Sequence, residues 1–110
     1  MTYLFRDLEI AESSFSILRG GVLIGVEPRV FELLIYLLRH RDRTVERAEL
    51  LEQVWRGCTV GESAVARCVC LARQLLGQAS AIRTIYGRGY RWVAPVSCLP
   101  AGASNIRSAS

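Results

Sequence analysis

Residues 81–93, AIRTIYGRGYRWV, leave the backbone few options. Residues 82–86 and 90–94 are rich in β-branched and aromatic types, which suit a pleated strand better than a helix. Between them, Gly87-Arg88-Gly89 supplies residues that make a tight connection at little steric cost. The pattern predicts a β-hairpin with both glycines at positive φ and Arg88 at the exposed apex. Arg83 and Arg91 make its strands basic. Because the glycines lie between two strands and no helix N-terminus follows them, a strand–loop–helix phosphate site is not expected.

Three helical periodicities precede the hairpin. Glu27-Pro28 opens the first, since Pro is tolerated at the first helical position and an acidic residue suits the helix N-terminus. Val30, Phe31, Leu34, Leu37 and Leu38 fall on one face, with Arg29, Glu32, Tyr36, Arg39 and His40 opposite. After a turn at Arg41-Asp42-Arg43, a short helix over Arg47 to Trp55 turns Leu50, Leu51 and Val54 inward and Glu49 and Glu52 outward. A third helix from Glu62 to Leu76 stops at Gly77, a normal C-terminal signal. Val65, Val69, Ala72 and Leu76 form its buried stripe; Ser63, Arg67, Cys70, Leu71 and Gln74 lie opposite, flanked by Ala66 and Arg73.

The N-terminal residues alternate and are broken by turns. Tyr3 to Phe5, Leu8 to Ile10, Phe15 to Leu18 and Val22 to Ile24 read as short strands of an antiparallel sheet. Residues 97–110 are small and polar without periodicity, as in a disordered tail or the start of a linker, so residues 1–96 are expected to form one domain. A chain of 110 residues, about half of them apolar, suits a single core. It has no run of 18 apolar residues and no charged-then-apolar leader, so a cytoplasmic location without membrane contact is expected.

Charge is unevenly placed. Residues 1–55 hold seven Arg against nine acidic residues, whereas residues 56–96 hold six Arg against Glu62 alone. The second half therefore suggests a polyanion-facing side. Of the four cysteines, Cys68 and Cys70 point about 200° apart on a helix and cannot grip one ion together. The single histidine, His40, lies in a different helix, so neither a metal nor another cofactor is expected. No catalytic constellation is evident, and an enzyme is not expected.

Sheet, helix, helix, loop, helix, hairpin is an α+β, winged helix-turn-helix order. The residues Glu27-Pro28-x-x-Phe31-x-Leu33-Leu34, Arg47-x-x-Leu50-Leu51-x-x-Val54-Trp55 and Ile82-Arg83-Thr84-Ile85-x-Gly87-Arg88-Gly89-Tyr90-Arg91-Trp92 resemble the OmpR/PhoB-type winged-helix DNA-binding domains. These domains are C-terminal in response regulators and N-terminal in one-component regulators of the CadC/ToxR type. The resemblance covers residues 3–96. It implies a four-stranded N-terminal sheet, three helices and a C-terminal hairpin wing in a domain that binds double-stranded DNA and regulates transcription. The third helix would enter the major groove and the wing the neighbouring minor groove. The loop Arg56, Gly57, Cys58, Thr59, Val60 and Gly61 would meet RNA polymerase, and two copies would bind head to tail on DNA.

Carried onto this chain, the DNA-facing set is Arg47, Trp55, Ser63, Ala66, Arg67, Cys70, Leu71, Arg73, Gln74, Arg83, Tyr86, Arg88 and Arg91. Within it, Arg47, Trp55, Arg67, Arg73, Arg83 and Arg91 are the phosphate-contact candidates. Cys70 and Leu71 stand where the family commonly has basic residues, and Tyr86 stands where the wing is frequently basic. Hydrogen-bonded reading of bases by the third helix should therefore be thin, Leu71 and Ala66 could pack on thymine methyls, and Arg88 is left as the chief minor-groove side chain. Two other readings follow from the same residues. A helix face short of basic side chains suits a protein-interaction module, and an exposed Cys70, with Cys58, suits a redox-responsive regulator.

Overall fold

The computed structural model describes residues 1–56 and 61–99. They form eight strands and three α-helices, grouped into two compact units.

The first unit comprises residues 1–26 and 95–99. Four strands, β1 (Thr2–Phe5), β2 (Leu8–Ala11), β3 (Ser16–Arg19) and β4 (Val22–Ile24), pair as an antiparallel meander. A fifth, β8 (Ser97–Leu99), pairs antiparallel with β1, giving the order β4-β3-β2-β1-β8. The sheet thus has five strands where the sequence pattern suggested four, and residues 97–99 are strand rather than loose tail. The physical reason is the edge of β1, whose backbone donors and acceptors need partners that a three-residue segment supplies without any side-chain periodicity of its own. One cross-strand row runs Cys98, Tyr3, Ile10, Ile17, Ile24. Tyr3, Ile10 and Ile17 in it are buried, as period-two alternation requires.

The second unit spans Glu27–Ala94. Helix α1 (Pro28–Arg39) starts at Pro28, with Phe31 N–H donating to the Glu27 carbonyl at 3.1 Å. Leu33 and Ile35 are buried along with the expected face, so the apolar stripe is wider than the periodicity indicated. Helix α2 (Arg47–Gln53) follows the two-residue strand β5 (Val45–Glu46). Helix α3 (Glu62–Leu76) ends as expected at Gly77, whose φ is 70°. Its buried side is Val65, Cys68, Val69, Ala72 and Leu76, and it packs on both α1 and α2.

A short 3₁₀ turn (Ala79–Ala81) leads into the hairpin of β6 (Ile82–Ile85) and β7 (Gly89–Trp92). Strand β5 pairs with β7, making a three-stranded sheet in the order β5-β7-β6. That third strand decides the two glycines. Gly87 lies at φ 74°, as expected, but Gly89 is not at positive φ. A Cβ on Gly89 would sit 2.0 Å from the Val45 carbonyl oxygen and 2.8 Å from the Glu46 Cα. Close backbone approach, not turn geometry, demands glycine there.

Candidate nucleic-acid interface

The outer side of α3 follows from the inner one. With Val65, Cys68, Val69, Ala72 and Leu76 turned in, a 3.6-residue repeat leaves Ser63, Ala66, Arg67, Cys70 and Gln74 exposed. Leu71 is half-exposed beside them. Cys68 and Cys70 are thereby opposed in environment: burial first, then the Glu27 charge, pushes the Cys68 thiol up to about 11, while Cys70 stands in solvent. The face carries one cation, Arg67, whose Nη2 lies 3.7 Å from Glu27 Oε2 at the start of α1. In the sequence, Glu27 marks the opening of the first helix. No local pattern brings the N-terminus of α1 to the outer side of α3, so this pairing had no sequence signal.

Arg73 has another fate. Its Nε and Nη2 donate to the Ile82 carbonyl at 3.1 and 2.7 Å, and Nη2 also donates to Thr84 Oγ1 at 2.8 Å. The guanidinium ties the last turn of α3 to the first strand of the hairpin. Expected among phosphate-contact residues, it is instead committed inside the fold, because the approach of β6 offers it a carbonyl at a range that no sequence pattern reveals.

Trp55 also departs from expectation. It is buried, with its ring 5.9 Å from the Arg29 guanidinium carbon, so it offers no indole to a phosphate. Helix α2 stops at Gln53, and both Val54 and Trp55 donate their backbone N–H to the Leu50 carbonyl, which turns the two side chains inward. Arg29 completes the arrangement by donating from Nη1 to the Val54 carbonyl at 2.5 Å. Arg56 is exposed and pairs with Glu32 at 3.6 Å. Residues 57–60 of the expected polymerase-facing loop, Cys58 among them, lie outside the described residues, and Gly61 is exposed at the start of α3.

The hairpin presents a basic side. Arg83 and Arg91 are register partners and both are exposed. Like charges opposite each other on one sheet face repel, a cost that an anion between them would remove. On the other side, Ile82, Tyr90 and Trp92 are buried, and Trp92 donates its indole N–H to the Ala94 carbonyl at 2.7 Å. Arg91 donates to the Asp42 carbonyl at 3.4 Å. Arg88 is exposed at the tip, and Tyr86 beside it is 93% exposed. The Arg47 N–H donates to the Arg88 carbonyl at 3.3 Å, so the first residue of α2 adjoins the hairpin apex and half-exposed Arg47 belongs to the same region.

This combination of a solvent-facing third helix and an arginine-bearing hairpin has relatives. Residues 21–92 match the family model described as "Transcriptional regulatory protein, C terminal". The chain belongs to that family. It is a DNA-binding domain of the OmpR/PhoB-type transcriptional regulators, and its fold is the winged helix of that type. Over 97 residues it is 32% identical to the transcriptional regulator HilA of Salmonella typhi, an alignment covering 86% of this chain but 17% of HilA. Among solved structures it is similar to the DNA-binding domain of E. coli CadC, with a TM-score of 0.73 and 25% identity, covering 87% of this chain and 94% of that one. Thermotoga maritima DrrB, an OmpR/PhoB homologue, gives a TM-score of 0.72 and 28% identity over 84% of this chain and 44% of its own. This family membership accounts for a winged helix with a helix face and a wing both open to solvent. Among the described residues, no helix is long and apolar enough to cross a membrane.

Proposed function

We propose that this domain binds double-stranded DNA with the exposed face of α3 in the major groove and the Arg88-tipped wing in the adjacent minor groove. The observation that carries the reading is the contiguous exposed set Ser63, Ala66, Arg67, Cys70 and Gln74 next to a hairpin bearing the opposed pair Arg83 and Arg91. Arg47, Arg67, Arg83 and Arg91 are the phosphate-contact set, and Tyr86 flanks the wing tip. Arg73 and Trp55 drop out of the contact set because their side chains are spent within the fold. Regulation of transcription from a cytoplasmic position, with two copies head to tail on direct repeats and the residue 56–61 loop toward RNA polymerase, completes the proposal. The likeness to the DNA-binding domain of CadC supports the DNA-binding part of this reading.

The test is fluorescence anisotropy on DNA fragments at several salt concentrations. If four arginines reach phosphates, log affinity falls with log salt at a slope of about −3 to −4. Alkylation supplies a second readout on the same complex. Cys70 is expected to react in the free domain and to be protected by DNA, whereas buried Cys68 is expected to be unreactive throughout. Absence of DNA binding by the folded domain, even as a dimer, sinks the reading and favours a protein partner for the face that carries Cys70 and Leu71.

A further inference from the structure

We infer that α3 reads its DNA chiefly through thymine methyl groups, so that the ligand is a duplex rich in A·T pairs where α3 lies in the major groove. The inference rests on the proposed docking of α3 and deepens it. The outer side of α3 has few groups left for base edges once contacts made elsewhere are subtracted. Arg73 is held by the Ile82 carbonyl and Thr84, and Arg67, 3.7 Å from the Glu27 carboxylate and exposed, is assigned to a phosphate and not to a base edge. That leaves Ser63 and Gln74, near the two ends of the helix, as the neutral hydrogen-bonding groups on the exposed face. Between them lie exposed Ala66 and Cys70, one turn apart, with half-exposed Leu71 beside Cys70.

This central patch is small and apolar. A free thiol acts as a small hydrophobe with only a weak donor. Each base pair shows a distinct pattern in the major groove, and the one apolar element in that pattern is the C5-methyl of thymine. Both kinds of pair set amino, N7 and carbonyl groups in the groove, but a G·C pair has no methyl to place against Ala66, Cys70 and Leu71, so only an A·T pair offsets that desolvation with an apolar contact. Gln74 suits the same preference, because its amide pairs in bidentate fashion with adenine N6 and N7.

Sites selected from a random duplex library at low salt give the starting DNA. Deoxyuridine is then placed for each thymidine in turn, which removes the methyl and leaves the base-pairing groups unchanged. At one or two positions under α3 the affinity is expected to fall about fourfold per methyl, the equivalent of one buried methylene. Cys70→Ser keeps the size of the side chain and makes it polar. In that variant, checked for folding by circular dichroism, the loss at one of those positions is expected to shrink toward onefold; Leu71→Ala should do the same at its neighbour. Selected sites that are G·C-rich under α3, or uridine substitutions that all leave affinity within twofold, overturn the inference while DNA binding itself stands. A library from which no duplex is enriched overturns the docking proposal instead.

Discussion

At the scale of single residues, Gly87 and Gly89 are two positions apart and needed for different reasons, which predicts unequal costs of substitution. Gly87→Ala puts a Cβ into the left-handed region with nothing within 4 Å of it, a penalty of about 1–2 kcal/mol. Gly89→Ala drives a methyl into the Val45 carbonyl, and β5 must leave β7 to make room. Urea denaturation is expected to show a loss of at least about 3 kcal/mol for the second, and the opposite ranking would contradict the role assigned to β5. Arg73→Ala removes charged donors from a part-buried carbonyl and is expected to cost about 1.5–3 kcal/mol of stability, with the salt dependence of DNA binding in the folded variant unchanged. Arg73→Lys should recover little of it, because a single ammonium cannot reproduce the fork. The sequence disclosed the turn at Gly87 and the spacing of Arg73 on α3. It could not disclose what approaches each from elsewhere in the chain, a two-residue strand in one case and a strand carbonyl in the other.

At the scale of elements, α1 and α2 are joined by a cluster that the sequence pattern assigned to solvent. Glu49 accepts a hydrogen bond from the Tyr36 hydroxyl and is gripped by Arg43, with Nη1 to Oε1 at 2.9 Å and Nη2 to Oε2 at 2.6 Å. The His40 ring packs against Tyr36 at a tilt of 47°, with centroids 4.5 Å apart. The Arg43 hydrogen bonds, more than the Tyr36 bond, hold the Glu49 carboxyl down at about 2 against an ordinary 4.5. Burial, aided by the neighbouring Glu49 charge, raises the Tyr36 hydroxyl. Since the folded carboxyl titrates below the unfolded one, its contribution is complete above about pH 4.5 and disappears as pH falls toward 2. The melting temperatures of the native chain and Glu49→Gln should therefore differ at pH 7 and converge across that window. A constant gap would show that the ion pair is not the source. The helices themselves were legible because each repeats an apolar stripe over several turns. This cluster was not, since it depends on how the Arg41-Asp42-Arg43 turn brings α2 back toward Tyr36. The same limit applied to β8, whose three residues are too few to show a period and are recruited by the edge of β1.

At the scale of the whole molecule, the arrangement of charge matters more than its sum. Formal net charge is +4, and if that alone drew the domain to DNA, any arginine would count equally. Arg19, in the sheet unit, and Arg88, at the wing tip, each remove one unit when changed to Ala. The proposed interface makes them unequal: Arg88 in the minor groove displaces counterions from the phosphates that flank it, in addition to the four phosphate-contact arginines, so Arg88→Ala should reduce the magnitude of the salt slope by about one and weaken affinity, while Arg19→Ala should leave both nearly unchanged. Arg67→Ala belongs between them, because the Glu27 carboxylate at 3.7 Å already offsets part of its charge before DNA arrives. Anisotropy titrations of the three variants over the same salt series give the ranking directly. Equal slopes for all three would mean that the domain meets DNA as a diffuse cation, and the wing would lose its assigned role. A larger effect for Arg67 than for Arg88 would move the weight of binding from the hairpin to α3, along with the Glu27 contact that restrains it.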